Sequence, residues 1–253
     1  MIEKQISKDA WEILRQYTDA RIALGRTGSS LSTQNILSLN EAHAQARDSI
    51  YKHFDKNSIE QSLLQLHHEV FLLKSKVRDK KEFLLRPDLG RRLCDDSITV
   101  IQKANIKKTF DVCISVSDGL SATAVNSHAI PFMGHFLKKL IDANLSIAPI
   151  CLIENGRVAI SDEIGSLLKA KVSIILIGER PGLSSSDSMG VYLTYHPKVG
   201  NTDEQRNCVS NIRLGGMPFE EAAREIFILT AASIRLNMSG TLLKNSLSIT
   251  DNQ

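Results

Sequence analysis

The chain has 253 residues, 42% hydrophobic and 23% charged, the composition of an ordinary soluble globular protein with one large or two small domains, and disorder is excluded. A net charge of +3, with no Lys/Arg block carrying interleaved aromatics, gives no nucleic-acid footprint. No apolar run reaches the ~18 residues of a membrane span, MIEKQISKDAWEIL lacks the apolar core of a signal peptide, and four dispersed cysteines without a CxxC pair suit a reduced, cytosolic protein without structural zinc.

Residues 1–105 read as an all-helical N-terminal region. Trp11, Leu14 and Tyr17 share a face of a helix from Ile6 to Tyr17. Ala20 to Gln34, with its glycines and Ser/Thr cluster, reads as a loop. Helices are expected from Asn35 to Asp55 and from Ser58 to Val77, the latter with Leu63, Leu66, Val70 and Leu73 on one side. Pro87 biases Arg86 towards an extended conformation and starts a further helix that runs to about Ala104. Behind that start, Arg91 and Arg92 are either anion ligands or solvated surface residues.

Residues 106–253 alternate strand and helix, the pattern of an α/β domain. Strands are expected at Phe110–Val116, Leu145–Ile153, Val172–Ile177 and Val191–Tyr195. Between them lie a helix from Ala122 to Ala143, kinked near Pro131, and a short one from Asp162 to Ala170 capped by Ser161 or Asp162. A last helix, Pro218 to Asn237, turns Phe219, Ala223, Ile226 and Leu229 to the sheet. The fold class is therefore α/β, a mostly parallel Rossmann-like sheet covered by helices.

The first three strands of this domain each leave through a short polar turn with a glycine: SDGLS, ENGRV and GERPG. Turns at the carboxyl ends of parallel strands share one crevice. No GxGxxG follows the first strand, and no GxxxxGK[ST] or GxSxG occurs, so dinucleotide, P-loop and hydrolase readings have no support. His67 and His68 diverge on a helix, and His128 and His135 are too far apart for an i, i+4 metal pair. Cys208 has no evident His or Asn partner and reads as a compact side chain beside a ligand. No self-sufficient active site emerges, which suggests a binding subunit completed by another chain.

The motifs RPDLGRRL (86–93), SDGLSA (117–122), NGRVAI (155–160), GERPGL (178–183) and NCVSNIR (207–213), in this order and spacing, resemble the small chain of ethanolamine ammonia-lyase over nearly the whole sequence. The resemblance implies an adenosylcobalamin-dependent lyase that splits ethanolamine into acetaldehyde and ammonia. It also implies a large-chain partner holding the substrate, with the cofactor between the two chains. The family positions tied to the corrinoid fall on Val158, Glu179 and Cys208, all expected on loops at the carboxyl side of strands, and 106–253 would be the cobalamin-binding domain.

Some corrinoid proteins replace the cofactor's own base with a histidine from a D-x-H-x-x-G motif. The nearest segment here, Asn126-Ser-His-Ala-Ile-Pro131, lacks both the Asp and the Gly, so the base-on form with no protein ligand on cobalt is expected. The N-terminus is shorter than in many enteric relatives, which leaves residence in a bacterial microcompartment in doubt while a cytosolic origin stands. A stand-alone α/β module that carries or senses a corrinoid or nucleotide is the other reading of the same turns.

Overall fold

The apolar, β-branched runs of the sequence meet in one sheet. The computed structural model describes residues 11–18, 20–26 and 28–250. Its strands are β1 (Val70–Lys74), β2 (Phe110–Ser117), β3 (Ile150–Glu154), β4 (Ala170–Gly178), β5 (Met189–Tyr195) and β6 (Arg206–Ile212), in the spatial order β1-β3-β2-β4-β5-β6. β1, β3, β2 and β4 are parallel; β5 is antiparallel to β4, and β6 to β5. The α/β class stands, and the sheet, expected to be mostly parallel and Rossmann-like, is a mixed one with two antiparallel strands at one edge. The reason is local: only 179–188, with no helix, joins β4 to β5. A parallel partner would need a crossover of a dozen residues or more.

The N-terminal region also departs from an all-helical reading. It holds α1 (Thr33–Tyr51), α2 (Lys56–Gln65), α3 (Lys80–Leu85) and α4 (Asp95–Lys103), with 3-10 turns at Glu12–Tyr17 and Leu89–Arg91. Residues 6–10 of the first expected helix lie outside the described residues. The helix expected from Ser58 to Val77 ends early, because His67 turns left-handed at φ 61° and the amides of His67 and His68 close back on Leu64 and Leu63. Val70 to Lys74 then pairs in register with Ile150 to Glu154 as β1. Likewise, no helix runs from Pro87 to Ala104. The Lys76 amide donates to the Arg92 carbonyl and the Cys94 amide to the Lys74 carbonyl, which holds 92–94 extended beside β1 until α4 begins.

One face of the sheet is covered by α5 (Ala122–Asp142, with Pro131 inside it) and α7 (Phe219–Leu236). There Val112, Ile114, Val116, Ile174, Leu176, Val191 and Leu193 pack on Phe132, Met133, Phe136, Ala223 and Ile226. Each such buried aliphatic or aromatic side chain contributes about 1.5–3 kcal/mol relative to exposure. The other face carries α4 and α6 (Ile160–Leu167), whose Ile101, Ile160 and Ile164 join Cys113, Cys151, Ile153, Ile175 and Ile177. α6 starts two residues earlier than Asp162, and neither Ser161 nor Asp162 caps it. The Ser161 hydroxyl instead donates to the Val158 carbonyl, and Asp162 is buried. α8 (Thr241–Thr250) ends the described chain. Among the described residues no helix is long and apolar enough to cross a membrane.

At the carboxyl edge of the parallel strands the backbone is packed too tightly for side chains. A Cβ at Gly178 would lie 2.1 Å from the Ser121 carbonyl oxygen and 2.5 Å from that of Asp118. Gly119 sits at φ 52°, and the Leu120 amide donates to the Gly178 carbonyl at 2.9 Å. Gly178→Ala is therefore expected to destabilise the fold by about 1–3 kcal/mol or more. A urea-unfolding midpoint equal to that of the parent chain would show that the two turns are not in contact.

Candidate functional site

The turns after β2, β3 and β4 are tied together at one edge by Ser117 and Asp118. Asp118 Oδ1 accepts the Asn155 amide at 2.7 Å, its Oδ2 accepts Lys80 Nζ at 2.6 Å, and Lys80 also donates to the Gly119 carbonyl at 2.9 Å. The Gly156 amide donates to Ser117 Oγ at 3.0 Å. Ser121 caps α5 by accepting the Ala124 amide, while its hydroxyl donates to the Ser186 carbonyl and so anchors the loop before β5.

The RPDLGRRL segment docks on this edge. The Arg157 amide donates to the Gly90 carbonyl at 2.7 Å, and a Cβ at Gly90 would come within 2.8 Å of Arg157 Cγ, so glycine makes the approach possible. The Arg157 guanidinium stacks 4.0 Å from the Phe83 ring centroid and donates to the Phe83 carbonyl at 2.9 Å. Arg92 lies on the surface, as one of the two readings expected, and is paired with a carboxylate of this chain. It forms a two-pronged pair with Glu163 of α6 at 2.8 and 3.1 Å, and Glu163 also accepts the Leu93 amide. Burial opposes ionisation of Glu163, but Arg92 and the Leu93 amide outweigh it and hold the carboxyl below its usual range.

These contacts leave a cavity of about 310 Å³ on the sheet face that α6 only partly covers, over β5 and β6. It is lined by Val158 and Ala159 from the β3–α6 turn, Pro87 and Arg91 from the docked segment, Arg157, and Tyr192, Asp203, Arg206 and Cys208 from the antiparallel strands and their connection. Val158 is half-buried and Cys208 is exposed as a residue. Cys208 is not on a loop, as the sequence suggested, but within β6, directly opposite Tyr192. The error has a physical source: RNCVSNI is an edge strand with weak apolar alternation, and its pairing comes from β5.

Glu179 follows β4 as expected and stands beside the cavity without lining it. Its Oε2 accepts the Ser188 hydroxyl and the Asn211 amide, and its own amide donates to the Ser188 carbonyl. A Cβ at Gly190 would lie 2.8 Å from Glu179 Oε1 and 3.2 Å from the Tyr192 ring, so this glycine leaves room for both side chains. The three expected residues thus converge: Val158 and Cys208 share the cavity, and Glu179 adjoins it through Gly190 and Tyr192.

The sequence reading missed Arg157, Tyr192, Asp203 and Arg206. Arg206 is buried and held by Asp162 at 2.7 and 2.8 Å, with Thr194 and Asp203 as further partners. A signal for Tyr192 existed, since it alternates outward between Val191 and Leu193 in a strand that was recognised. Arg206 and Asp162 lie far apart in sequence, and no spacing announces them.

Fold and cavity define an α/β chain with a cavity open on one flank, and among the described residues no cluster of His, Cys, Asp or Glu could hold a metal ion. Residues 8–244 match the family described as ethanolamine ammonia-lyase light chain. The chain is 45% identical over 245 residues to the ethanolamine ammonia-lyase small subunit of Pseudomonas fluorescens Pf-5, covering 96% of this chain and 89% of that one. It is 46% identical to the small subunit of Pseudomonas aeruginosa LESB58 (96% and 90% covered) and 46% to that of Pseudomonas putida F1 (94% and 89%). The chain belongs to the ethanolamine ammonia-lyase small-subunit family, and it is a lyase subunit.

The thiol of Cys208 is shielded although the residue is exposed. Burial against its neighbours pushes its pKa up to about 11; contact with Tyr192 pulls the other way, and the Glu179 charge adds to the rise. Burial, with Cys208 and Glu179, raises the Tyr192 hydroxyl as well. Against an ordinary value of 9.0, the thiolate at pH 8 is ~100-fold scarcer, so alkylation of Cys208 by iodoacetamide should slow by about that factor. Peptide mass spectrometry reads the rate site by site; labelling as fast as a free thiol would contradict the shielding.

Proposed function

We propose that this chain supplies part of the adenosylcobalamin site of an ethanolamine ammonia-lyase. A large subunit holds ethanolamine, and the complex converts it to acetaldehyde and ammonia. The observation that carries the reading is the convergence of Val158, Glu179 and Cys208 on one open cavity in a chain of this family. The donor set suits a flat macrocycle with amide arms. Val158, Ala159 and Pro87 offer apolar contact, and Tyr192 offers a ring. Glu179 Oε1 has no partner among the described residues, so it remains an acceptor for an amide N–H or a ribose hydroxyl.

A cavity of about 310 Å³ is far smaller than a corrinoid, so this chain covers one flank and leaves the rest to the large subunit. When bound, adenosylcobalamin supplies radical chemistry by homolysis of its cobalt–carbon bond. The work of this chain is to bind, orient and exclude water. Ser188 and the Asn211 amide hold the Glu179 carboxylate in one orientation, which lowers the ordering cost of a contact to it. Val158 and Cys208 fill space beside the ligand without reacting, in keeping with a thiol that stays protonated. The proposal includes a cytosolic location.

Coexpression with a large chain should give acetaldehyde release that requires added adenosylcobalamin, and this chain alone should give none. Activity of the isolated chain would favour the stand-alone module instead. In the complex, Glu179→Ala should weaken adenosylcobalamin binding by about 10- to 100-fold, the worth of a hydrogen bond to a charged group. Unchanged affinity would remove Glu179 from the site.

A further inference from the structure

The cavity carries positive charge that the protein itself does not neutralise. Arginines next to it are answered by carboxylates of the same chain: Arg206 by Asp162 and Asp203, Arg92 by Glu163, Arg86 by Asp88. Arg91 and Arg157, which line the cavity, have no carboxylate partner among the described residues, and neither does Arg180 at the start of the neighbouring turn. The Nε–H of Arg157 is buried and makes no hydrogen bond among the described residues, while the guanidinium donates through Nη2 to the Phe83 carbonyl and stacks on the Phe83 ring. A buried donor without a partner costs free energy until something accepts from it. Burial, then the charges of Arg91 and Arg180, lower the Arg157 pKa, with Asp118 opposing. The guanidinium stays charged even so, and Arg91 lines the same cavity.

We propose that Arg91 and Arg157 form an anion-binding lobe of the cavity that takes the phosphodiester of the corrinoid's nucleotide arm. The inference rests on the corrinoid reading above and adds which part of the ligand lies here. The side arms of a corrin ring are neutral amides, and the phosphodiester is the one anionic group such a ligand carries at neutral pH. Arginine matches it because a planar guanidinium donates two parallel N–H bonds to phosphate oxygens. Asp203, the one carboxylate in the lining, is engaged with Arg206 at 3.2 Å and leaves the lobe positive. Gly90 and Phe83 hold the Arg157 stem in place, so little freedom is lost when the anion arrives.

The test uses the complex with the large subunit and two ligands that differ by the phosphate alone, adenosylcobinamide phosphate and adenosylcobinamide, with adenosylcobalamin alongside. Binding is followed by equilibrium dialysis and corrin absorbance, without reference to turnover. The parent complex should prefer the phosphate-bearing ligands by about 10- to 100-fold. Arg157→Lys and Arg91→Gln should shrink that preference and leave adenosylcobinamide affinity unchanged. Arg91 is exposed, so its variant keeps the test decisive if the Arg157 variant misfolds. Equal binding of the two cobinamides by the parent complex would overturn the lobe while the corrinoid reading survives. So would variants that weaken all three ligands alike, which would make Arg157 a packing residue. Failure of the parent complex to bind any corrinoid would overturn both.

Discussion

The site depends on one carboxylate. Asp118, buried at the end of β2, accepts the Asn155 amide from the turn after β3 and the Lys80 ammonium from the N-terminal region, while the carbonyls of its own turn press against Gly178 at the end of β4. A charge in that position is stable only because its partners are all supplied, and removing one would leave a buried charge uncompensated. The consequence is geometric. Three turns that a sheet edge would otherwise leave as independent loops become one rigid rim, and the α3 segment is bound to it.

Beyond that rim, the cavity exists because the two faces of the sheet are covered unequally. On one side α5 and α7 reach across to β5 and β6; on the other, α4 and α6 stop short of Tyr192 and Cys208, which line the cavity. The reversal of strand direction after β4 brings this about. An antiparallel pair needs no crossover helix, so nothing is delivered to cover that face. Glu163 and Asp162, at the start of α6, then fix the cavity's walls by pairing with Arg92 and Arg206. Helix α6 thus locks both the docked N-terminal segment and the base of β6.

Charge distribution separates the structural arginines from the available ones. Arg92 at the surface and Arg206 in the interior act as struts, each tied to a carboxylate at the start of α6. Arg91 and Arg157 have no carboxylate partner among the described residues and line the cavity beside an apolar lip of Pro87, Val158 and Ala159.

Much of this was legible in the amino-acid sequence. The buried strands at 110–117 and 170–178 announce themselves by β-branched runs, α5 and α7 by length and apolar spacing, and the rim turns by glycine and polar clusters, because those signals are local properties of the chain. The family motifs carried Val158, Glu179 and Cys208. What sequence did not determine was decided by pairing at a distance. Val70 to Lys74 has helical spacing behind it and becomes a strand because β3 offers a ladder; Arg206 to Ile212 is polar and becomes a strand because β5 does. Whether an arginine is a strut or a free donor depends on a carboxylate up to 71 residues away, as with Arg92 and Glu163. Local pattern sets what each segment can form, and only the closed fold sets which charges find partners.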